Sequence, residues 1–194
     1  IIFVASASAF TYIMNGITLT FNILYLIVGG IVGGYIGSKL TAMIKTKSLE
    51  KIFSVLLVIV SIRMFLNGNF ESSFNENPFF YIIIGIVTGI LSGLLGIGGG
   101  IVRIPLLIIF GGLENIVAQG FSLIATIPTA MTAAVTKLKG NPELIKQGTY
   151  IGLFGIIGSI IGGNAAFLMS QNVLNTVFAI FLLIVSFNLY LKKD

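Results

Sequence analysis

The chain has 194 residues, of which 56% are hydrophobic and 9% are charged, and its net charge is +5. A soluble domain carries about 25% charged residues, so this composition excludes a soluble globular protein and predicts an all-α integral membrane protein. Cysteine and histidine are absent, which removes thiol chemistry and imidazole bases and argues against an enzyme. We expect no metal and no other cofactor. We also expect no nucleic-acid partner, because the lysines lie in short loops between apolar segments.

Eight apolar segments follow one another along the chain: 1–14, 21–44, 49–66, 79–95, 101–110, 116–138, 148–169 and 173–191. A helix needs about 20 residues to cross the hydrocarbon core. The two segments around residues 96–100 are short for that, so they predict either a re-entrant hairpin or two broken, tilted helices.

Charges in the connections predict the orientation, because lysine and arginine in short loops stay on the cytoplasmic side. Three groups of lysines mark that side: Lys45, Lys47 and Lys51, then Lys137, Lys139 and Lys146, and finally Lys192 and Lys193. The connections at 67–77 and 111–115 carry acidic residues and no basic ones. We therefore predict a multi-pass protein of the cell (cytoplasmic) membrane with a cytoplasmic C-terminus.

An internal repeat relates the two ends of the chain. A shift of 125 positions without a gap pairs Gly33 with Gly158 and Gly37 with Gly162, and the register continues through Ser61 and Ser186. Because the charges place the corresponding connections on opposite sides, the repeats are predicted to be inverted, as in many secondary transporters. The predicted organisation is a partial first repeat at 1–67, an extracytoplasmic linker at 68–78 and a complete second repeat at 79–194. Residues 79–125 have no counterpart here, so we expect about 47 residues with a second glycine-rich break to precede Ile1 in the intact protein.

Glycines play two predicted roles. Four of the five residues 96–100 are glycine, and each disfavours a helix interior by roughly 1 kcal/mol, so the helix is predicted to break there. The freed amides of Gly98, Gly99 and Gly100 would then suit an anion. Glycines at helical spacing are predicted to allow close packing instead: Gly30, Gly33, Gly34 and Gly37, with Gly155, Gly158, Gly162 and Gly163.

Polar residues inside apolar segments are candidates for the binding site. Arg103 follows the glycine break, and a charge within a bilayer marks a functional residue unless it extends to the interface; both alternatives stay open from sequence. Further candidates share a helix face or occupy the repeat-related part of the first half: Gln119, Ser122 and Thr126 on one face, and Ser6 and Ser8 near the start.

The glycine run 96–100 with Pro105, the helix of Ser122 that ends in Lys139-Gly140-Asn141, and the last glycine-rich hairpin resemble the sulfite exporter TauE/SafE family. This resemblance implies a carrier for small sulfur-containing anions such as sulfite or organosulfonates. Arg103 and Lys139 depart from the aliphatic residue and the histidine that many members carry there, so the resemblance does not fix one substrate.

The predicted function is a secondary transporter that moves a small anion through the lipid bilayer by alternating access. The alternative is an anion channel in which the glycine break forms the constriction. A homo-oligomer is compatible with either mechanism.

Overall fold

The computed structural model describes residues 1–18, 20–41, 46–66, 77–96, 99–137 and 142–191. All regular secondary structure in these residues is helical. The helices are α1 Ile2–Met14, α2 Asn22–Leu40, α3 Thr46–Leu66, α4 Pro78–Leu95, α5 Gly100–Ile109, α6 Asn115–Lys137, α7 Pro142–Leu168 and α8 Gln171–Leu191. The all-α prediction is confirmed. The predicted linker at 68–78 lies outside the described residues except for its last two, and the domain boundaries stay predictions.

Helix ends follow local chemistry. Asn77 caps α4, since its Oδ1 accepts the Phe79 N–H at 3.0 Å and Pro78 occupies the first helical position, where no amide is needed. α4 ends at Gly96, which has a φ of 71°, and α5 begins after Gly99, which has a φ of 70°. Only glycine adopts this left-handed conformation without strain, so the predicted break between two helices is confirmed.

Within the described ranges, four helices are long and apolar enough to cross a membrane by length and composition: α2, α8, and the parts of α6 and α7 at Asn115–Val135 and Ile145–Leu168. The outer surface of the described residues is apolar, with Phe21, Phe154 and Leu168 each more than three-quarters exposed. Such a surface is stable in lipid rather than in water. The fold is therefore that of a multi-pass membrane protein.

Among the described helices, α2 and α4 make the most extensive contact. Glycines of both helices face each other there, and we call this contact the seam. A Cβ atom at Gly33 or Gly37 would run into the backbone of Ile86 or Ile90 on α4. On the other side of the seam, a Cβ atom at Gly89 would lie 2.5 Å from the Gly30 carbonyl oxygen. The two backbones thus touch, as the small-residue spacing predicts for membrane helices.

A two-fold relation between the repeats appears where α3 packs on α8. The 125-residue shift maps the bounds of α3 onto those of α8. Ser61 Oγ donates to the Ala179 carbonyl at 2.8 Å, and Ser186 Oγ donates to the Ser54 carbonyl at the same distance. The shift converts each of these buried bonds into the other, because it takes 61 to 186 and 54 to 179. This reciprocity is what a two-fold axis between the repeats produces.

Loss of either reciprocal bond is expected to destabilise the protein by a similar amount. Interhelical hydrogen bonds in membranes contribute about 0.6 kcal/mol on average and at most about 1.7. We expect Ser61→Ala and Ser186→Ala each to fall in that range in unfolding measurements on detergent-solubilised protein. Ser54→Ala is the matched control, since its buried hydroxyl donates only to the Lys51 carbonyl of its own helix. A cost at one position and none at the other would contradict the two-fold relation.

The second set of glycines, which lies on α7, shows the predicted close packing at only some of its positions. Gly155 and Gly163 face α1, where a Cβ atom would meet Val4 and Thr11. By contrast, a Cβ atom at Gly158 or Gly162 would have no described atom within 4 Å. For these two glycines close packing is not observed among the described residues, and Gly162 instead borders a cavity that Phe178 and Phe181 of α8 also line.

Candidate functional site: a buried guanidinium at the glycine break

Arg103 is completely buried, in the first turns of α5. Side chains of a helix lean towards its N-terminus, which brings this guanidinium back to the glycine break. Its Nε donates to Thr88 Oγ1 at 3.1 Å, and its Nη1 donates to the Ser122 carbonyl at 3.2 Å and to Thr126 Oγ1 at 3.3 Å. These contacts hold the side chain between α4, α5 and α6. The alternative in which Arg103 extends to the membrane interface is therefore wrong.

The start of α5 lacks a side-chain cap. Gly99 occupies the N-cap position and has no side chain to accept an amide bond. The amides of Gly100, Ile101 and Val102 form the first turn, where a helix has no internal acceptors for its N–H groups. This end also carries the positive pole of the helix dipole. It is therefore a local centre of positive potential.

Two buried polar atoms beside this helix start have no hydrogen-bond partner among the described residues: Arg103 Nη2 and Ser122 Oγ. A Cβ atom at Gly99 would lie 3.4 Å from Nη2, and a Cβ atom at Gly100 would lie 3.4 Å from the Ser122 hydroxyl. Both orphan atoms therefore lie against the first residues of α5. Buried polar groups without partners are rare in native structures and call for a physical explanation.

The charges around these two atoms indicate which kind of ligand would suit them. Among the described residues, every group that accepts a bond from Arg103 is neutral, being a carbonyl or a hydroxyl. A buried cation without a counter-charge is destabilised by several kcal/mol, and here the positive pole of α5 lies beside it. An anion bound at this point would be stabilised by both charges and could accept bonds from Nη2, Ser122 Oγ and the α5 amides.

The structure brings together five of the predicted site residues and places three others elsewhere. Arg103, Ser122 and Thr126 are joined by hydrogen bonds, and Gly99 and Gly100 border the two orphan atoms. Gly98 lies outside the described residues. Those that lie elsewhere are Ser6, which is exposed on α1, Ser8, which is buried on α1, and Gln119, which belongs to a separate network.

Thr88 is a site residue that the sequence analysis did not single out. Its hydroxyl accepts the Arg103 Nε–H and donates to the Ile84 carbonyl at 2.7 Å, so one hydroxyl satisfies both groups. Gly30 of α2 also borders the site, since a Cβ atom there would lie 2.6 Å from Thr129 Oγ1 and 3.5 Å from Arg103 Nη2. In the sequence, Thr88 could be noticed as a threonine among apolar residues. That it binds Arg103 is shown only by the packing of α4 on α5.

Gln119 takes part in a polar network that joins α1, α6 and α8. Tyr12 Oη donates to Gln119 Oε1, Gln119 Nε2 donates to Asn115 Oδ1 at 2.7 Å, and Asn115 Nδ2 donates to Asn175 Oδ1 at 2.7 Å. A cavity of about 270 Å³ borders Gln119, but its other lining residues are mainly apolar, for example Phe178. Because these side chains bond to one another, the network joins α1, α6 and α8.

The fold and this site together define a multi-pass membrane protein with a cationic centre buried at a helix break, an arrangement typical of membrane transporters. The model of the family described as Sulfite exporter TauE/SafE matches residues 81–194. The chain belongs to this family of membrane transporters, which confirms the resemblance.

Curated relatives carry transporter names. The chain is 29% identical over 118 residues to the "Probable membrane transporter protein YunE" of Bacillus subtilis. The matched region covers 57% of this chain and 43% of that protein. It is 28% identical over 170 residues to a "Probable membrane transporter protein" of Xylella fastidiosa, which covers 81% of this chain and 63% of that one. The chain thus spans less than two thirds of the length of these relatives. No solved structure matches the chain.

Proposed function

We propose that this chain belongs to a secondary carrier that binds one small anion between the start of α5, Arg103 and Ser122. The observation that carries the proposal is a pair of buried donors, Arg103 Nη2 and Ser122 Oγ, that find no partner in the described part of the chain and lie at an uncapped helix start. The two donors and the adjacent amides would surround an oxyanion from several directions, as in other anion sites at broken membrane helices.

Burial of the site favours a carrier over a channel. Arg103 and Thr88 are 0% exposed, Ser122 is 1% exposed and Thr126 is 6% exposed. An ion in an open channel meets water along its path, whereas this site is closed off from solvent by the surrounding helices. Entry and exit of an anion therefore require the helices to move, which is the basis of alternating access.

The family supports a sulfur oxyanion as the substrate. Sulfite and organosulfonates present the oxygen atoms that a guanidinium and helix amides bind, and the proposal extends this class to the present chain. The lysine pattern supports a place in the cytoplasmic membrane with the C-terminus inside the cell. We assign no chemical reaction to the site, in keeping with relatives that are named as transporters.

A thermal-stability assay tests the proposal. A ligand that binds only the folded state raises its free energy of unfolding by RT ln(1 + [L]/Kd), where [L] is the free ligand concentration. We expect sulfite or sulfoacetate, from a panel with thiosulfate, sulfate and carboxylates, to stabilise the purified chain more than chloride does at equal ionic strength. A panel in which no member exceeds chloride would contradict the proposed site.

Ser122→Ala separates binding from folding in the same assay. The Ser122 hydroxyl bonds to none of the residues that the structure describes, so its removal should not lower the stability of the anion-free protein. A bond from a hydroxyl to a charged ligand contributes about 1.5 kcal/mol or more, so we expect about tenfold weaker anion binding. Ser159→Ala on α7 is the matched control, because that hydroxyl donates to the Ile156 carbonyl of its own helix. Equal anion affinity in the two variants would remove Ser122 from the site.

A further inference from the structure

Helix α7 is the repeat equivalent of α2, and one side of each helix has equivalent neighbours. On α2, a Cβ atom at Gly30 would meet Thr129 of α6. On α7, a Cβ atom at Gly155 would meet Val4 of α1. The 125-residue shift relates both members of these pairs, since it takes 30 to 155 and 4 to 129. The α1–α7 contact is therefore the counterpart of the α2–α6 contact.

The adjacent sides of the two helices differ. On α2, Gly33 and Gly37 lie against the backbone of α4, in the tightest contact of the fold. On α7, the equivalent residues Gly158 and Gly162 are exposed, and a Cβ atom at either would have no described atom within 4 Å; Gly162 borders the cavity that Phe178 of α8 also lines. This exposed side, defined by Gly158 and Gly162 and here named the open face of α7, is continuous with the established interface between α7 and α1.

We propose that the open face of α7 binds a transmembrane helix that stands to α7 as α4 stands to α2. This helix comes from outside residues 1–194, and its chemistry follows from α4. The seam between α2 and α4 has glycines on both sides, with Gly85, Gly89 and Gly93 at every fourth position of α4. The partner is therefore an apolar helix with small residues at the same spacing, which lets two backbones approach within van der Waals contact.

The surroundings of the open face agree with an apolar helix as the partner. Phe154 and Ile161 flank the two glycines and are 78% and 66% exposed. Lipid chains cover isolated large side chains well, but they fill a groove cut by two glycines one helical turn apart less closely than a helix backbone does. The charged residues of α7, Glu143 and Lys146, lie near its start, more than three turns before Gly158.

Disulfide cross-linking tests this proposal, because residues 1–194 contain no cysteine. The chain carrying Gly158→Cys is placed in lipid nanodiscs with a synthetic peptide of residues 78–95 in which Ile86 is replaced by cysteine. Ile86 is chosen because its backbone contacts Gly33, the repeat equivalent of Gly158. A disulfide requires Cβ atoms within about 4.5 Å, so we expect cross-linking about tenfold faster than for Ile160→Cys, which lies on another side of α7.

The controls distinguish the other occupants of the face. A peptide with Gly85, Gly89 and Gly93 replaced by leucine should cross-link no faster than with the Ile160→Cys chain. Unchanged thermal stability of the Gly158→Cys chain verifies its fold, as expected for a position with open space around it. Equal rates at positions 158 and 160 would mean that lipid alone covers the face. Faster disulfide formation between two copies of the chain than with the peptide would make the partner a second copy. Either result overturns the proposal, and neither depends on anion binding.

Discussion

Replacement of Gly33 by leucine is expected to prevent assembly of the helices, whereas the same change at its repeat equivalent, Gly158, should be tolerated. Any side chain at Gly33 must displace the backbone of Ile86, and a rigid helix backbone cannot move as a flexible side chain can. Overpacking of this kind costs about 3 kcal/mol or more. Because α2 also borders Arg103 through Gly30, separation of α2 from α4 should expose the guanidinium as well.

The measurement for this pair is the yield of folded protein in detergent, followed by thermal unfolding of whatever folds. Gly158→Leu is a close control, since it is the same substitution in an equivalent helix of the same chain. Its side chain meets no described atom, so we expect a change in unfolding free energy within about 0.5 kcal/mol. Equal damage at both positions would mean that the intolerance comes from helix propensity or insertion rather than from contact with α4.

Replacement of Arg103 by methionine is expected to stabilise the anion-free protein and to abolish its response to anions. Methionine has a similar length without the charge, and replacement of buried ionic groups by apolar residues often raises stability by about 1–4 kcal/mol. Thr88 keeps its bond to the Ile84 carbonyl after the change. Loss of a buried charged partner weakens binding by about 2–5 kcal/mol, so the affinity for sulfite should fall at least about thirtyfold.

Unfolding of the Arg103→Met protein with and without sulfite measures both effects. Lys146→Met is the control, because Lys146 is an exposed lysine on α7 far along the chain from the glycine break. The opposite sign is equally informative. If Arg103→Met destabilised the anion-free protein, its three hydrogen bonds would be structural and the guanidinium would need no anion. That result would contradict the carrier proposal.

Much of the helical layout follows from local sequence properties. The predicted apolar segments match the observed helices to within a few residues, except that α7 begins at Pro142, six residues before the predicted start at 148. The polar residues Glu143 and Lys146 continue the helix although they fall outside an apolar pattern. The glycine break was predictable because adjacent glycines oppose a helix on their own, whatever surrounds them.

Site membership was predictable only in part. Arg103, Ser122 and Thr126 could be predicted because a polar group within a bilayer is energetically costly and usually has a function. Gln119 shares a helix face with Ser122 and Thr126, yet its amide bonds to Tyr12 and Asn115 instead. Helical periodicity predicts which residues share one face of α6, but it does not predict which neighbouring helix packs against each turn of that face. The neighbouring helix changes along α6.

Three properties of this multi-pass α-helical membrane protein follow from its residues alone: its helical membrane character, the helix break at residues 96–100, and the relation of its two ends by a shift of 125 positions. These properties depend on composition, backbone preference and register, which are local or read directly along the chain. The packing of the helices was needed to show that Arg103 is buried against Thr88 and that Gly33 lies against α4 while Gly158 contacts no described helix. Burial and partner choice arise from contacts between distant segments, and identical residues in equivalent helices acquire different environments when their neighbours differ.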